Sequence, residues 1–152
     1  MKKAIQDCYP VEYAHCYGCG RENTMGHQLK SFQMEGFTEA RFTPGMQYSG
    51  GVPGHVYGGM IASLLDCHGT ASAAAFALSH TGGSIEDEGN PPRFVTASLK
   101  VDFKRPTPQG VELYLRGELL AVDGRKVRMA LSLQAGEEVC ATGEMLAIAL
   151  AR

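Results

Sequence analysis

This 152-residue chain has no surplus charge with which to hold a charged partner. Fourteen Lys and Arg face 16 Asp and Glu, a net charge of −2, without the basic balance that tracks a phosphate backbone. Nucleic acid is not expected as its main partner. An apolar leader is also missing, because Met1-Lys2-Lys3-Ala4-Ile5-Gln6-Asp7 lacks the uninterrupted apolar core of a signal peptide. No run reads as a membrane span. Residues 60–78 come nearest, and Asp66, His68 and several small polar residues interrupt them. The expectation is therefore no membrane association and a cytoplasmic location. Internal repeats and low-complexity linkers are absent too. The cysteines number five, odd and scattered, which does not make a disulfide framework.

What remains is an ordinary globular composition, 44% hydrophobic and 20% charged. A chain of this length is expected to form one domain, 1–152, burying about 70% of the surface its unfolded form exposes. Residues 1–25 read as a cysteine-containing extension, with Cys8 and then His15-Cys16-Tyr17-Gly18-Cys19-Gly20. A Cys-x-x-Cys pair beside a His could begin a zinc site, but four-coordinate structural zinc normally recruits a second pair. Cys67 and Cys140 stand isolated in the sequence. A redox pair would sit between a strand and a helix start, and neither signal is present. The extension reads as a glycine-punctuated turn packing small cysteines against the main body, and no metal is expected.

The rest is organised around one stretch. Gly54-His55-Val56-Tyr57-Gly58-Gly59 opens a run in which Met60, Ile61, Leu64, Leu65 and His68 fall at helical spacing, followed by Ala71, Ala74, Ala75 and Leu78. From Gly58 to Ser79, at about 1.5 Å per residue, a helix would span roughly 33 Å. It is apolar or small nearly all round, so it should be buried. Asp66 interrupts it, and a carboxylate there must be paired, hydrogen-bonded or used. Residues 27–34 and 37–42 alternate as a hairpin. Strands are expected at 94–103, 111–120, 126–134 and 139–150, with Asp123-Gly124 as a turn and a solvated acidic loop at Glu86-Asp87-Glu88 before Gly89-Asn90. The order is β-β-α-β-β-β-β, an α+β chain in which an antiparallel sheet wraps one long central helix.

That order, the Gly-Gly at the helix start with an acid seven residues on, and the Thr96-x₉-Pro106 strand resemble a hotdog-fold thioesterase. Within that superfamily the chain is similar to the PaaI-like acyl-CoA thioesterases over roughly residues 26–150. Members typically show Asn-x-x-Gly-x-x-His-Gly-Gly before an acid on the helix. Here Gly51-x-x-Gly54-x-x-Tyr57-Gly58-Gly59 fills that pattern, with Gly51 in place of Asn and Tyr57 in place of His. The resemblance implies that Asp66 is the nucleophile or general base and that Thr96, from the neighbouring subunit, positions it or the water. It also implies a homodimer or homotetramer with shared sites, in which Gly58, Gly59 and Tyr57 come from one chain and Asp66 and Thr96 from the other. Backbone N–H groups of Gly58 or Gly59 would hold the oxyanion. Asp66 has a second reading, a buried acid bonded to Thr96 or to a backbone turn for structure alone.

The substrate implied is an acyl-CoA thioester, with coenzyme A as part of the substrate and no other cofactor. Eight of the 14 Lys and Arg lie between Arg93 and Arg128. Lys104-Arg105 and Arg125-Lys126 are the best phosphate candidates, and the alternative for each is solvated strand-end charge. Gly51 and His55 are placed at the substrate by their loop. His68, two residues after Asp66, points to another helix face and reads as solvent-facing or satisfied in the core. Two rival functions stand beside hydrolysis: an acyl-CoA or acyl-carrier-protein binding protein without turnover, and a hydratase using His55 or His68.

Overall fold

The computed structural model describes residues 2–86 and 91–151. Asp87-Glu88 of the expected acidic loop, with Gly89-Asn90, lie outside the described residues. Two short 3₁₀ turns, Ile5–Cys8 and Val11–Tyr13, precede β1 (Ser31–Gln33), β2 (Thr38–Phe42), α1 (Gly58–His80), β3 (Phe94–Phe103), β4 (Leu113–Asp123), β5 (Lys126–Ala135) and β6 (Glu138–Ala149). The six strands form one antiparallel sheet in the order β1-β2-β4-β5-β6-β3. It wraps α1, which is the hotdog architecture expected.

The helix dictates this arrangement. Fourteen of its 23 residues are buried, so one flat face could not cover it; a curved sheet is needed on most sides. Met60, Ile61, Leu64 and Leu65 pack in one cluster with Leu113, Leu115, Met129, Leu133 and Met145 from the inward faces of the strands. Burying each such side chain stabilises the fold by about 1.5–3 kcal/mol. By length and composition α1 could cross a membrane, yet 72% of its most apolar stretch is buried inside this chain. The helix ends where Gly82 takes a φ of +85° and the Gly83 N–H donates to the Leu78 carbonyl at 2.9 Å, a turn that favours glycine.

The expected first strand, 27–34, is shorter than its alternation suggests. Residues before Ser31 donate to the extension instead, His27 N–H to the Tyr17 carbonyl at 2.9 Å and Leu29 N–H to the Gly18 carbonyl at 3.0 Å. The extension is part of the core, with Ile5, Tyr9 and Cys19 buried in it.

His68 is fully buried and satisfied in the core. Its Nδ1 meets the Ser31 hydroxyl at 2.8 Å and its Nε2 the Thr38 hydroxyl at 3.1 Å. Gln6 closes one end of this chain on Ser31, and Ser72 closes the other on Thr38 at 2.6 Å. Burial depresses the His68 pKa from 6.5 to about 4. The unfolded chain takes up a proton near pH 6.5 that the native state refuses until about pH 4. This contribution is therefore fully present above pH 6.5 and lost as pH falls toward 4, by about 1.4 kcal/mol per pH unit. Urea unfolding at stepped pH across that window should show the decline, and His68→Gln should flatten it whatever its own stability. An unchanged slope in the variant would assign the decline to other groups.

Candidate active site

The loop before α1 is fastened to the chain on both sides. Val56 N–H donates to the Thr107 carbonyl at 2.8 Å, Gln109 N–H to the Gly54 carbonyl at 2.9 Å, and Tyr57 N–H to the Tyr48 carbonyl at 3.0 Å. Tyr57 is the N-cap in extended conformation, and its side chain makes no capping bond. The first amides to find the turn's carbonyl are Met60 and Ile61, both on Tyr57. The N–H groups of Gly58 and Gly59 are left pointing out of the helix's positive end. The Tyr57 ring stacks on Tyr48, with centroids 6.4 Å apart. It lies so close to Gly59 that a Cβ there would meet its Cε2 at 2.4 Å. The residue that stands in place of the family His thus packs its ring between Tyr48 and Gly59.

Beside these amides lies a cleft of about 270 Å³ lined by His55, Val56, Gly58, Ile61, Phe103, Lys104, Arg105, Pro106 and Thr107. A second hollow of about 420 Å³ continues past His55 and Arg105 to Pro108, Ala135, Glu138 and Cys140. His55, Lys104 and Arg105 thus line the same cleft as Gly58. Arg105 is held by Glu138 at 2.9 Å, whereas Lys104 has no ion pair among the described residues. Gly51 sits on an exposed turn with nothing within 4 Å of a Cβ placed on it.

Arg125 and Lys126 lie elsewhere. Arg125 closes its fork on the Ala149 carbonyl at 3.0 and 2.7 Å. Lys126 pairs with Ile148, which pairs in turn with Val95 at the start of β3. Lys104 follows the other end of β3, about 30 Å away at strand rise. Within one chain the two basic pairs cannot meet the same ligand.

Asp66 is half-buried and accepts a short hydrogen bond from the Thr96 hydroxyl of the same chain. Asp66 and Thr96 are thus joined within one chain, in keeping with their assignment to the same half of a shared site, and Thr96 does not have to reach Asp66 across an interface. The cause is a β-bulge: the register passes from Thr96↔Ala147 to Ser98↔Leu146, leaving Ala97 extra. Phe94 and Thr96 face the helix before the bulge, and Leu99, Val101 and Phe103 face inward after it. Asp66 lies eight residues from Gly58 on one helix, about 12 Å along its axis. One chain therefore cannot aim both at one carbonyl, which needs groups about 3 Å from the reacting atoms.

Sequence reasoning missed Phe103, whose ring lies against Gly58, and Tyr48, the platform for Tyr57. It also took Cys67 as isolated, whereas its Sγ lies 3.7 Å from that of Cys16. Cys67 follows Asp66 directly, and helical geometry turns it toward the extension.

A family model described as Thioesterase superfamily matches residues 53–142. The chain belongs to the Thioesterase superfamily. A thioesterase superfamily protein from Shewanella loihica PV-4 is 42% identical, with a TM-score of 0.69, covering 92% of this chain and 97% of that one. The acyl-coenzyme A thioesterase THEM4 of Bos taurus is 30% identical over 131 residues, 84% of this chain and 47% of that protein. The chain thus spans less than half the length of the THEM4 proteins it matches. The Escherichia coli PaaI protein shares the fold, at 15% identity and a TM-score of 0.64 over 81% of this chain and 78% of that one.

The contrast between two loop glycines is testable. At Gly59 an added methyl must displace the Tyr57 ring, and overpacking of about 1–3 kcal/mol outweighs a helix-propensity gain of about 1 kcal/mol at most. At Gly51 the methyl meets nothing. Denaturant unfolding should show Gly59→Ala destabilised by about 1 kcal/mol and Gly51→Ala within about 0.5 kcal/mol of wild type. Equal effects would refute the packing of Tyr57 on Gly59.

Proposed function

We propose that this thioesterase-superfamily chain hydrolyses an acyl-CoA thioester to the free acid and coenzyme A. The observation that carries this reading is the pair of amides at Gly58 and Gly59, without partners among the described residues, opening on a cleft that Lys104 and Arg105 border. The thioester carbonyl would lie against these amides, where a donor to the developing oxyanion contributes on the order of 10²–10³ in rate. Asp66, held by Thr96, would attack the carbonyl carbon or take the proton of an attacking water. The cations at the cleft mouth would meet the coenzyme's phosphates.

The 12 Å spacing along α1 requires the acid and the amides of one reaction to come from two copies. β3 supplies the means. It is the end strand of the sheet, its residues are mostly exposed, and Val95 and Phe103 are 44% and 55% accessible. A ten-residue apolar edge of this kind calls for pairing. Antiparallel pairing of β3 with its symmetry mate would set the Thr96 end of one strand beside the Phe103 end of the other. Asp66 and Thr96 would then approach the partner subunit's Gly58. The same pairing would bring Lys126 toward the partner subunit's Lys104, so both basic pairs could serve one coenzyme. Binding without turnover is the second reading, favoured by the exposed, contact-free Gly51 where family members carry Asn.

Thiol release from a panel of acyl-CoAs tests the reading. Asp66→Ala should abolish turnover while acyl-CoA still raises the melting temperature. Gly58→Pro removes one amide at the first helical position, where proline is tolerated and the preceding residue is already extended. If that amide is the donor, kcat should fall by about 10²–10³ with KM little changed. Mixing the two inactive chains should restore about a quarter of wild-type activity, because half of randomly paired dimers hold one intact shared site. Recovery of nothing would refute the shared site. No turnover on any ester, with ligand still stabilising the fold, would establish the binding protein.

A further inference from the structure

We propose that Cys16, Cys19 and Cys67 form a zinc(II) site that ties the N-terminal extension to α1. The three sulfurs lie within 4.8 Å of one another, two from one turn and one from the helix. Cys16 Sγ and Cys67 Sγ are 3.7 Å apart. With Zn–S bonds of about 2.3 Å, the edge of a tetrahedron is about 3.8 Å. A cation among the sulfurs therefore meets its bond lengths with small side-chain shifts. A disulfide would need the same pair to close to about 2 Å.

The turn is built around the third sulfur. In Cys16-Tyr17-Gly18-Cys19-Gly20 the Gly20 N–H donates to the Cys16 carbonyl at 2.7 Å. Cys67 Sγ occupies the space above Gly18, only 2.2 Å from where a Cβ would stand. Cys19 and Cys67 are 2% and 6% exposed, and half-buried Cys16 is the way in. A divalent cation would bind the three sulfurs as thiolates and displace their protons.

No fourth His, Cys, Asp or Glu joins the group among the described residues, so water would complete the coordination. Nearby, the buried Tyr9 hydroxyl has no hydrogen-bond partner among the described residues, and Arg93 sits over its ring with its Cζ 4.8 Å from the centroid. The assignment does not depend on the thioesterase reading.

The test is anaerobic titration of the reduced, chelator-stripped full chain with Co²⁺. The expected result is a thiolate-to-cobalt charge-transfer band that saturates at about one equivalent and is displaced by Zn²⁺. Zinc should raise the melting temperature of the wild type. Cys67→Ser and Cys16→Ser should each lose the band or weaken affinity at least about tenfold, while Cys140→Ser retains it. If Cys67→Ser does not fold, half-buried Cys16→Ser carries the comparison. A wild type without the band, a band that survives loss of Cys67 or Cys16 with affinity unchanged, or a Cys16–Cys67 disulfide found by mass spectrometry in place of metal uptake would overturn the proposal.

Discussion

The constraint on which everything else depends is that α1 is apolar on nearly every side. A helix of this kind loses its stabilisation if any broad face meets water, so the chain must supply a cover that goes around it. A twisted antiparallel sheet does this with few residues. It leaves α1 open at its two ends, and the loop from Gly45 to Tyr57 arrives at the N-terminal one. The place where two amides lack partners is thus a consequence of how the core is closed. The same enclosure explains the Gln6–Ser31–His68–Thr38–Ser72 chain. A histidine on a fully covered helix has to find both its partners among the strands and the extension.

Placing the acid and the amides on one helix has a second consequence. α1 is rigid, so their separation along it is set by helical rise and cannot be closed by loop motion. A functional centre that uses both must draw on two helices. The exposed β3 edge and the opposite placement of the two basic pairs along the sheet suit such an arrangement.

Much of this was legible in the residues. The helix could be read almost to its ends, because glycines, a 3.6 period and Thr81-Gly82 mark it, and β3 could be read from Phe94 to Phe103. Asp66 stood out because a carboxylate in an apolar helix is costly. Other features depend on distant pairings. β1 loses residues 27–30 to hydrogen bonds with Tyr17 and Gly18, partners ten or so positions away that no local alternation reveals. Cys67 looked alone because its neighbours arrive from a segment some 50 residues earlier. Thr96 could be matched to Asp66, but whether they share a chain depends on a bulge that strand periodicity hides.

That bulge makes β3 two half-strands of opposite phase. Even-numbered residues look inward up to Thr96 and odd-numbered ones from Leu99 onward. Ala97 is the joint, with no part in the chemistry and little in the packing. That it is bulged out of the ladder nonetheless decides whether the hydroxyl beside Asp66 and the ring beside Gly58 can face the same helix from one strand. Flattening the bulge while keeping that one small residue would act like a frameshift written in space: every side chain beyond it would exchange core for solvent, while the sequence read unchanged.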